Sequence, residues 1–157
     1  MNNLKEYIVE KLKLNKNIKP VDHHKYHPKT NEELLDLCDK LIRERRPYPD
    51  LNDIDVSEID NFDSIFNGLD CEGINITDWD VSNAKSMECM FSWSERFDSD
   101  LSKWDVSNVT NMKGMFYHAS GFPGRGLEKW NVSDKCNMRE MFEECDDLKN
   151  KPSWYHE

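Results

Sequence analysis

Residues 101–116 read LSKWDVSNVTNMKGMF, and the same text recurs on both sides at a step of 25 or 26 residues. Trp104-Asp105-Val106-Ser107-Asn108 is matched by Trp79-Asp80-Val81-Ser82-Asn83 upstream and by Trp130-Asn131-Val132-Ser133-Asp134 downstream. A degenerate first copy is Ile54-Asp55-Val56-Ser57-Glu58. A second motif keeps step: Phe62-x-x-Ile65-Phe66, Met87-x-x-Met90-Phe91, Met112-x-x-Met115-Phe116 and Met138-x-x-Met141-Phe142. Leu51, Ile76, Leu101 and Leu127 each lie three residues before the Trp position, and Phe97, Phe122 and Leu148 each lie six after the motif's Phe. Positions locked together in this way define a tandem array over residues 51–148.

The chemistry of each position suggests its place. In Trp104-x-Val106 the apolar residues alternate, the period of a strand with one buried face. Ser107-Asn108 offers local side-chain hydrogen bonds for a turn. Met112, Met115 and Phe116 sit at i, i+3 and i+4, which predicts one face of a short helix. Gly124 and Gly126 permit the next bend after Phe122. Each repeat is therefore expected to be a short strand, a turn, a short helix and a return loop. One unit cannot bury its apolar stripe alone, so the units are expected to stack with Trp, Val, Met and Phe ladders inside.

These residues resemble the BspA-like leucine-rich-repeat proteins, a family once labelled as domain of unknown function 285. The resemblance covers roughly residues 50–157. It implies an α/β repeat, a short right-handed leucine-rich-repeat-like solenoid with a parallel strand ladder. It also implies a binding scaffold of the compact phage or intracellular type.

Thr30, followed by Glu33, forms a capping box that opens a helix with apolar face Leu34, Leu37, Cys38, Leu41 and Ile42. Arg43, Arg45 and Arg46 suit its C-terminus, and Pro47 and Pro49 end it. This helix is expected to be the N-terminal cap of the array. A further amphipathic helix is expected over residues 3–14 through Leu4, Tyr7, Ile8 and Leu12. The domain reading is thus a helical cap segment over 1–48 and a repeat unit over 49–157. The C-terminal cap starts at about 148, where Pro152-Ser153-Trp154-Tyr155 breaks the repeat frame.

The chain carries a net charge of −10, divided as +3 over residues 1–48 and −13 over residues 49–157. An acidic body disfavours direct nucleic-acid binding, which needs clustered Lys and Arg, and fits a partner with a basic surface. The N-terminal stretch lacks the apolar core of a signal peptide, and no run is apolar enough for a membrane span. Five cysteines without a C-x-x-C pair read as reduced thiols, so a cytoplasmic setting is expected, the host's if the chain is phage-encoded.

The motif residues read as core, so binding is expected on the outward positions between them. These are Asp55, Asp80, Asp105 and Asn131, with Ser57, Ser82, Ser107 and Ser133. Strands ~4.8 Å apart would bring like charges together, to be offset by turn hydrogen bonds or by a basic partner. Asp22, His23, His24 and His27 form a cluster that reads as surface or structural histidines rather than a metal site. No catalytic constellation and no cofactor motif is recognisable. The reading is a non-enzymatic protein-interaction scaffold. Its alternatives are an acidic, DNA-mimicking inhibitor of a host defence nuclease (anti-CRISPR-like) and a module of a bacterial surface adhesin.

Overall fold

The computed structural model describes residues 22–156. The expected helix over 3–14 lies outside the described residues. The second motif decides the architecture, and it does so with turns rather than helices. In the second copy Met90 donates its N–H to the Met87 carbonyl at 3.3 Å, with Cys89 at φ 54°. Ser94 donates to the Phe91 carbonyl at 3.1 Å, with Trp93 at φ 60°. A positive φ at the third residue is the pattern of a type II turn. The other copies repeat it, with Ser64, Gly114 and Glu140 at the first left-handed position and Gly68, His118 and Glu144 at the second.

Every second N–H in this stretch is left for the neighbouring copy. Met87, Cys89, Phe91 and Trp93 donate to the carbonyls of Asn111, Lys113, Met115 and Tyr117 at 2.8–2.9 Å. The preceding copy donates to this one through Phe62, Ser64, Phe66 and Gly68, and the third copy donates to the fourth through Met112, Gly114, Phe116 and His118. The copies are therefore stacked coils. Half of the backbone donors in this stretch close a turn and half tie one coil to the next, which leaves few buried groups unpaired.

This arrangement corrects the expected fold. The described residues hold one α-helix and no strand longer than an isolated bridge, so the chain is not an α/β parallel-strand solenoid with a helical cap. Single-residue parallel bridges join Asn61 to Ser86, Ser86 to Asn111, and Asn111 to Asn137. The expected short helices fail because two left-handed residues per coil cannot lie in a right-handed helix. The expected strands fail because a turn follows each Trp-Asp-Val within one residue. Ala84 donates to the Val81 carbonyl and Val109 to that of Val106, at 2.9 and 3.0 Å.

Inside the stack the expected apolar ladders form. Phe66, Phe91, Phe116 and Phe142 stack at 5.3, 5.4 and 5.7 Å between successive centroids, each pair 8° from parallel. Trp79 and Trp104 stack at 6.4 Å and 4°. Each indole is anchored to the coil before it: Trp79, Trp104 and Trp130 donate Nε1–H to the carbonyls of Leu51, Ile76 and Leu101 at 2.9, 3.2 and 3.0 Å. A buried indole N–H needs such a partner, and this one also fixes the register between coils.

Helix α1 spans Asn31–Glu44. Thr30 Oγ1 accepts the Glu33 N–H at 3.2 Å, as the capping box requires, but Glu33 Oε2 accepts the N–H of Lys29 (2.7 Å). Leu34, Cys38, Leu41 and Ile42 are buried in the same apolar cluster as the coils, with Leu35 and Leu37 partly buried against it. Asn31 Nδ2 ties the helix start to the first coil, donating to the carbonyls of Asn61 and Asp63 at 3.2 and 3.0 Å. Arg45 pairs with both carboxylate oxygens of Asp53 at 2.8 and 2.9 Å, and Arg46 with Asp70 at 2.8 Å. Two of the three arginines at the helix end are thus tied to the coils, and Arg43 pairs with Asp39 within the helix.

Candidate functional site

The expected Asp and Ser positions are outward-facing, but their side chains serve the turns. Asp55 Oδ1 accepts the N–H and hydroxyl of Ser57 at 3.0 and 2.7 Å. Asp80 and Asp105 each accept the N–H two residues on, from Ser82 and Ser107, at 3.1 Å. In the fourth coil Ser133 Oγ takes the N–H of Lys135 at 3.3 Å, while Asn131 is exposed with no such contact. Hydrogen bonds from Ser107 hold the Asp105 carboxyl below the usual carboxylate range. Burial opposes ionisation of Asp55, but hydrogen bonds from Ser57 and His27 outweigh it and its carboxyl is also lowered. Each acid here offsets its charge locally, through amides of its own coil.

The histidine cluster has the same character. Asp22 Oδ1 accepts the N–H of His24 and lies 2.8 Å from its Nδ1. His27 bridges Asp22 and Asp55 at 3.5 and 3.4 Å. Ligand-capable atoms of Asp22, His24 and Asp55 lie within 4.8 Å of one another, and both carboxylates and the His24 Nδ1 already have local partners. His23 is exposed beside a separate cleft lined by Arg45, Asp50, Asn52 and Asp53.

A different feature carries more chemistry. The second left-handed position of successive coils is Gly68, Trp93, His118 and Glu144. Trp93 is half exposed, one of two large hydrophobic side chains in that state among the described residues. The His118 ring lies 3.9 Å from it at 8°, so the two are face to face, and Tyr117 meets Trp93 edge-on at 6.0 Å. A tryptophan at φ 60° is strained, because its Cβ crowds the backbone there. The ladder bonds of the Trp93 and Gly68 amides hold it in place. Strain of this kind concentrates where a side chain is presented for use.

Acidic residues border this aromatic step. Glu143 accepts the His118 N–H through its carbonyl, and Asp147 donates its N–H to Ser120, so Glu143, Glu144, Asp146 and Asp147 follow the step on the fourth coil. On the other side a cleft of about 350 Å³ is lined by Gly68, Leu69, Asp70, Trp93, Glu95 and Arg96. Arg96 is paired with Asp70 and Glu72. A Cβ built on Gly68 would meet nothing within 4 Å, so the space beside Trp93 is open.

The repeat arithmetic did not single out this step, because Trp93 falls outside the four locked positions. The signal was present: Ser92-Trp93-Ser94 places a tryptophan where Asn67-Gly68-Leu69 and Tyr117-His118-Ala119 have no common apolar demand. An aromatic residue that the core does not require is a candidate for contact with something else.

Residues 38–155 match a family model described as Mycoplasma protein of unknown function, DUF285. No curated protein and no solved structure matches the chain. Among the described residues no helix is long and apolar enough to cross a membrane.

Proposed function

We propose, for a chain that belongs to the DUF285 family, a non-enzymatic role as an interaction module that binds a protein partner with a basic surface. The observation that carries this reading is the exposed Trp93–His118–Tyr117 step with its acidic border. Tyrosine and tryptophan are enriched at protein interfaces because they bury large apolar area at little entropic cost, with a polar end left to pair. An acidic rim around such a centre steers a basic partner and rejects acidic ones. The charge of −13 over residues 49–157 works in the same direction.

The expected columns Asp55, Asp80, Asp105 and Asn131 remain available as peripheral charge, but the turns already engage the three aspartates. The centre of the interface is therefore placed at Trp93 in this reading, with the columns contributing long-range attraction.

Calorimetric titration with a basic peptide and with a polyglutamate control, at low and high salt, tests the reading. The expected result is saturable binding of the basic peptide that weakens with salt, and none of polyglutamate. Reversing Glu143 and Glu144 to lysine is expected to weaken binding by about tenfold, whereas Asp134→Lys, at the first turn of the fourth coil rather than in its second motif, changes it less than about twofold. Equal loss from both changes, or no binding at all, overturns it.

A further inference from the structure

We infer that the open space between Gly68 and Trp93 is a slot for one arginine side chain of the partner. This inference rests on the basic-partner reading above and deepens it. The slot follows from the repeat geometry. Successive rings in the Phe ladder lie 5.3–5.7 Å apart, so one coil contributes one layer. In the outward column His118 supplies the layer on one face of Trp93, at 3.9 Å. On the other face the column has Gly68, which supplies no side chain, and the space its Cβ would reach is empty. The uncovered face of Trp93 thus opens onto the cleft of about 350 Å³.

The chemistry around the gap selects the guanidinium. The face of an indole attracts a cation through its quadrupole, and arginine adds planar stacking that an ammonium cannot. Glu95 lines the same cleft, is exposed, and makes no side-chain hydrogen bond or ion pair among the described residues. The neighbouring carboxylates differ: Asp70 already holds Arg46 and Arg96, and Glu72 holds Arg96. Glu95 is thus the uncommitted acid beside an uncovered aromatic face. A guanidinium stacked on Trp93 could take Glu95 in a two-pronged hydrogen bond, the geometry that favours arginine over lysine. Arg96 also lines the cleft, but its charge is paired with Asp70 and Glu72 within the protein.

The cleft residues sit on rigid backbone. Gly68 and Trp93 are tied through their own N–H groups to the Ser92 and Tyr117 carbonyls, both at 2.8 Å. The slot is therefore formed before any partner arrives, and binding costs little reorganisation. A partner with an arginine on a protruding loop fits it, with the surrounding acids meeting the rest of its basic surface.

The test follows the indole N–H resonance of Trp93 by NMR during titration with three eight-residue peptides. They are identical except for four positions held by arginine, lysine or citrulline. The arginine peptide is expected to shift that resonance saturably and to bind at least about fivefold more tightly than the lysine peptide. The citrulline peptide, planar but neutral, is expected not to bind measurably. Trp93→Ala and Glu95→Gln are each expected to weaken the arginine peptide by about fivefold or more. Gly68→His fills the slot with the residue that the third coil carries in the same left-handed position, and is expected to abolish the shift. Its circular dichroism and melting curve report separately that the chain is folded.

If arginine and lysine peptides bind equally and Trp93→Ala changes nothing, the slot is wrong while the basic-partner reading stands. If neither basic peptide binds, both readings fall. If a neutral chitooligosaccharide shifts Trp93 and the arginine peptide does not, the aromatic step recognises a sugar face and the inference is overturned.

Discussion

The indole N–H of Trp154 donates to the carbonyl oxygen of Leu127 at 2.8 Å, and its ring stacks on that of Trp130 at 6.0 Å. This is the same bond that Trp79, Trp104 and Trp130 make to Leu51, Ile76 and Leu101. The sequence around Trp154 has lost the repeated text, yet the residue occupies the tryptophan place of a fifth coil. The end of the stack is closed by continuing its register.

Removing that bond should loosen the C-terminal coil. Trp154→Phe keeps most of the apolar area but removes one of the two hydrogen bonds that the Leu127 carbonyl accepts, the other coming from the Trp130 N–H at 3.1 Å. It is expected to cost about 0.5–1.5 kcal/mol in urea denaturation, the net value of one hydrogen bond. Trp104→Phe, in the middle of the stack, should cost about as much or more because its bond to Ile76 is buried, although that carbonyl keeps the Trp79 N–H. Equal stability of both variants to the parent would mean that the indole–carbonyl bonds do not hold the register.

The left-handed turn positions give a pair of opposite substitutions. Glu140 is exposed at φ 60°, so Glu140→Gly removes strain without removing a buried side chain. It should stabilise the chain by about 0.5–1 kcal/mol, the relief being partly offset by glycine's entropy. At Gly126, φ is 89° and a Cβ would lie 2.2 Å from the Ser102 amide nitrogen. Both backbones are fixed there, so Gly126→Ala should cost more than about 2 kcal/mol or prevent folding. Thermal melts of the two variants in parallel test the sign of each.

Thiol chemistry should separate one cysteine from four. Cys89 is partly exposed, and Cys38, Cys71, Cys136 and Cys145 are buried. Burial pushes the Cys71 thiol up to about 12 and those of Cys136 and Cys145 up to about 11. At pH 8 a thiol reagent is expected to modify one residue per chain quickly and four only on unfolding. These thiols are acids with raised folded values. The stability they contribute is whole below the unfolded value near ~8.5 and is lost as pH rises through about 11–12. Five fast thiols at pH 8 would contradict the buried core.

Acid should act in the reverse sense. Arg45 holds the Asp53 carboxyl below its ordinary range, Arg46 does the same for Asp70, and Ser107 for Asp105. A depressed folded value gives stability that is present above the unfolded value and lost as pH falls through the folded one. The melting temperature should be flat from pH ~7 to pH ~5 and fall below about pH 4. High salt should shrink the Asp53 and Asp70 contributions more than that of Asp105, whose partner is neutral.

The period and the core of the array were legible in the residues, because burial selects residue types at fixed steps. Trp104, Val106, Met112, Met115 and Phe116 are all buried, as their spacing suggested. The local geometry was not legible. Apolar residues at i, i+3 and i+4 mark one face of a helix, but two consecutive type II turns bring Met87, Met90 and Phe91 inward equally well. What distinguishes them is the backbone at Cys89 and Trp93, neither of which is a glycine that would announce a left-handed residue. Only Gly114 and Gly68 gave that hint, one coil away in each case. The alternation at Trp104-Asp105-Val106 misled for a related reason. Strand and turn share it over three residues, and the Asp105–Ser107 bond decides for the turn. The aromatic step was missed because a search for recurrence discards a residue that occurs once.

The left-handed column has a consequence for how such a protein can change. Glycine, tryptophan, histidine and glutamate take a left-handed backbone in four successive coils, and the first three are held there by ladder bonds that do not involve their side chains. The fold is indifferent to what stands at these places, within the modest strain that each non-glycine residue carries. Selection can therefore rewrite one letter per coil, and so the pattern a partner meets along the stack, while the interior stays as it is.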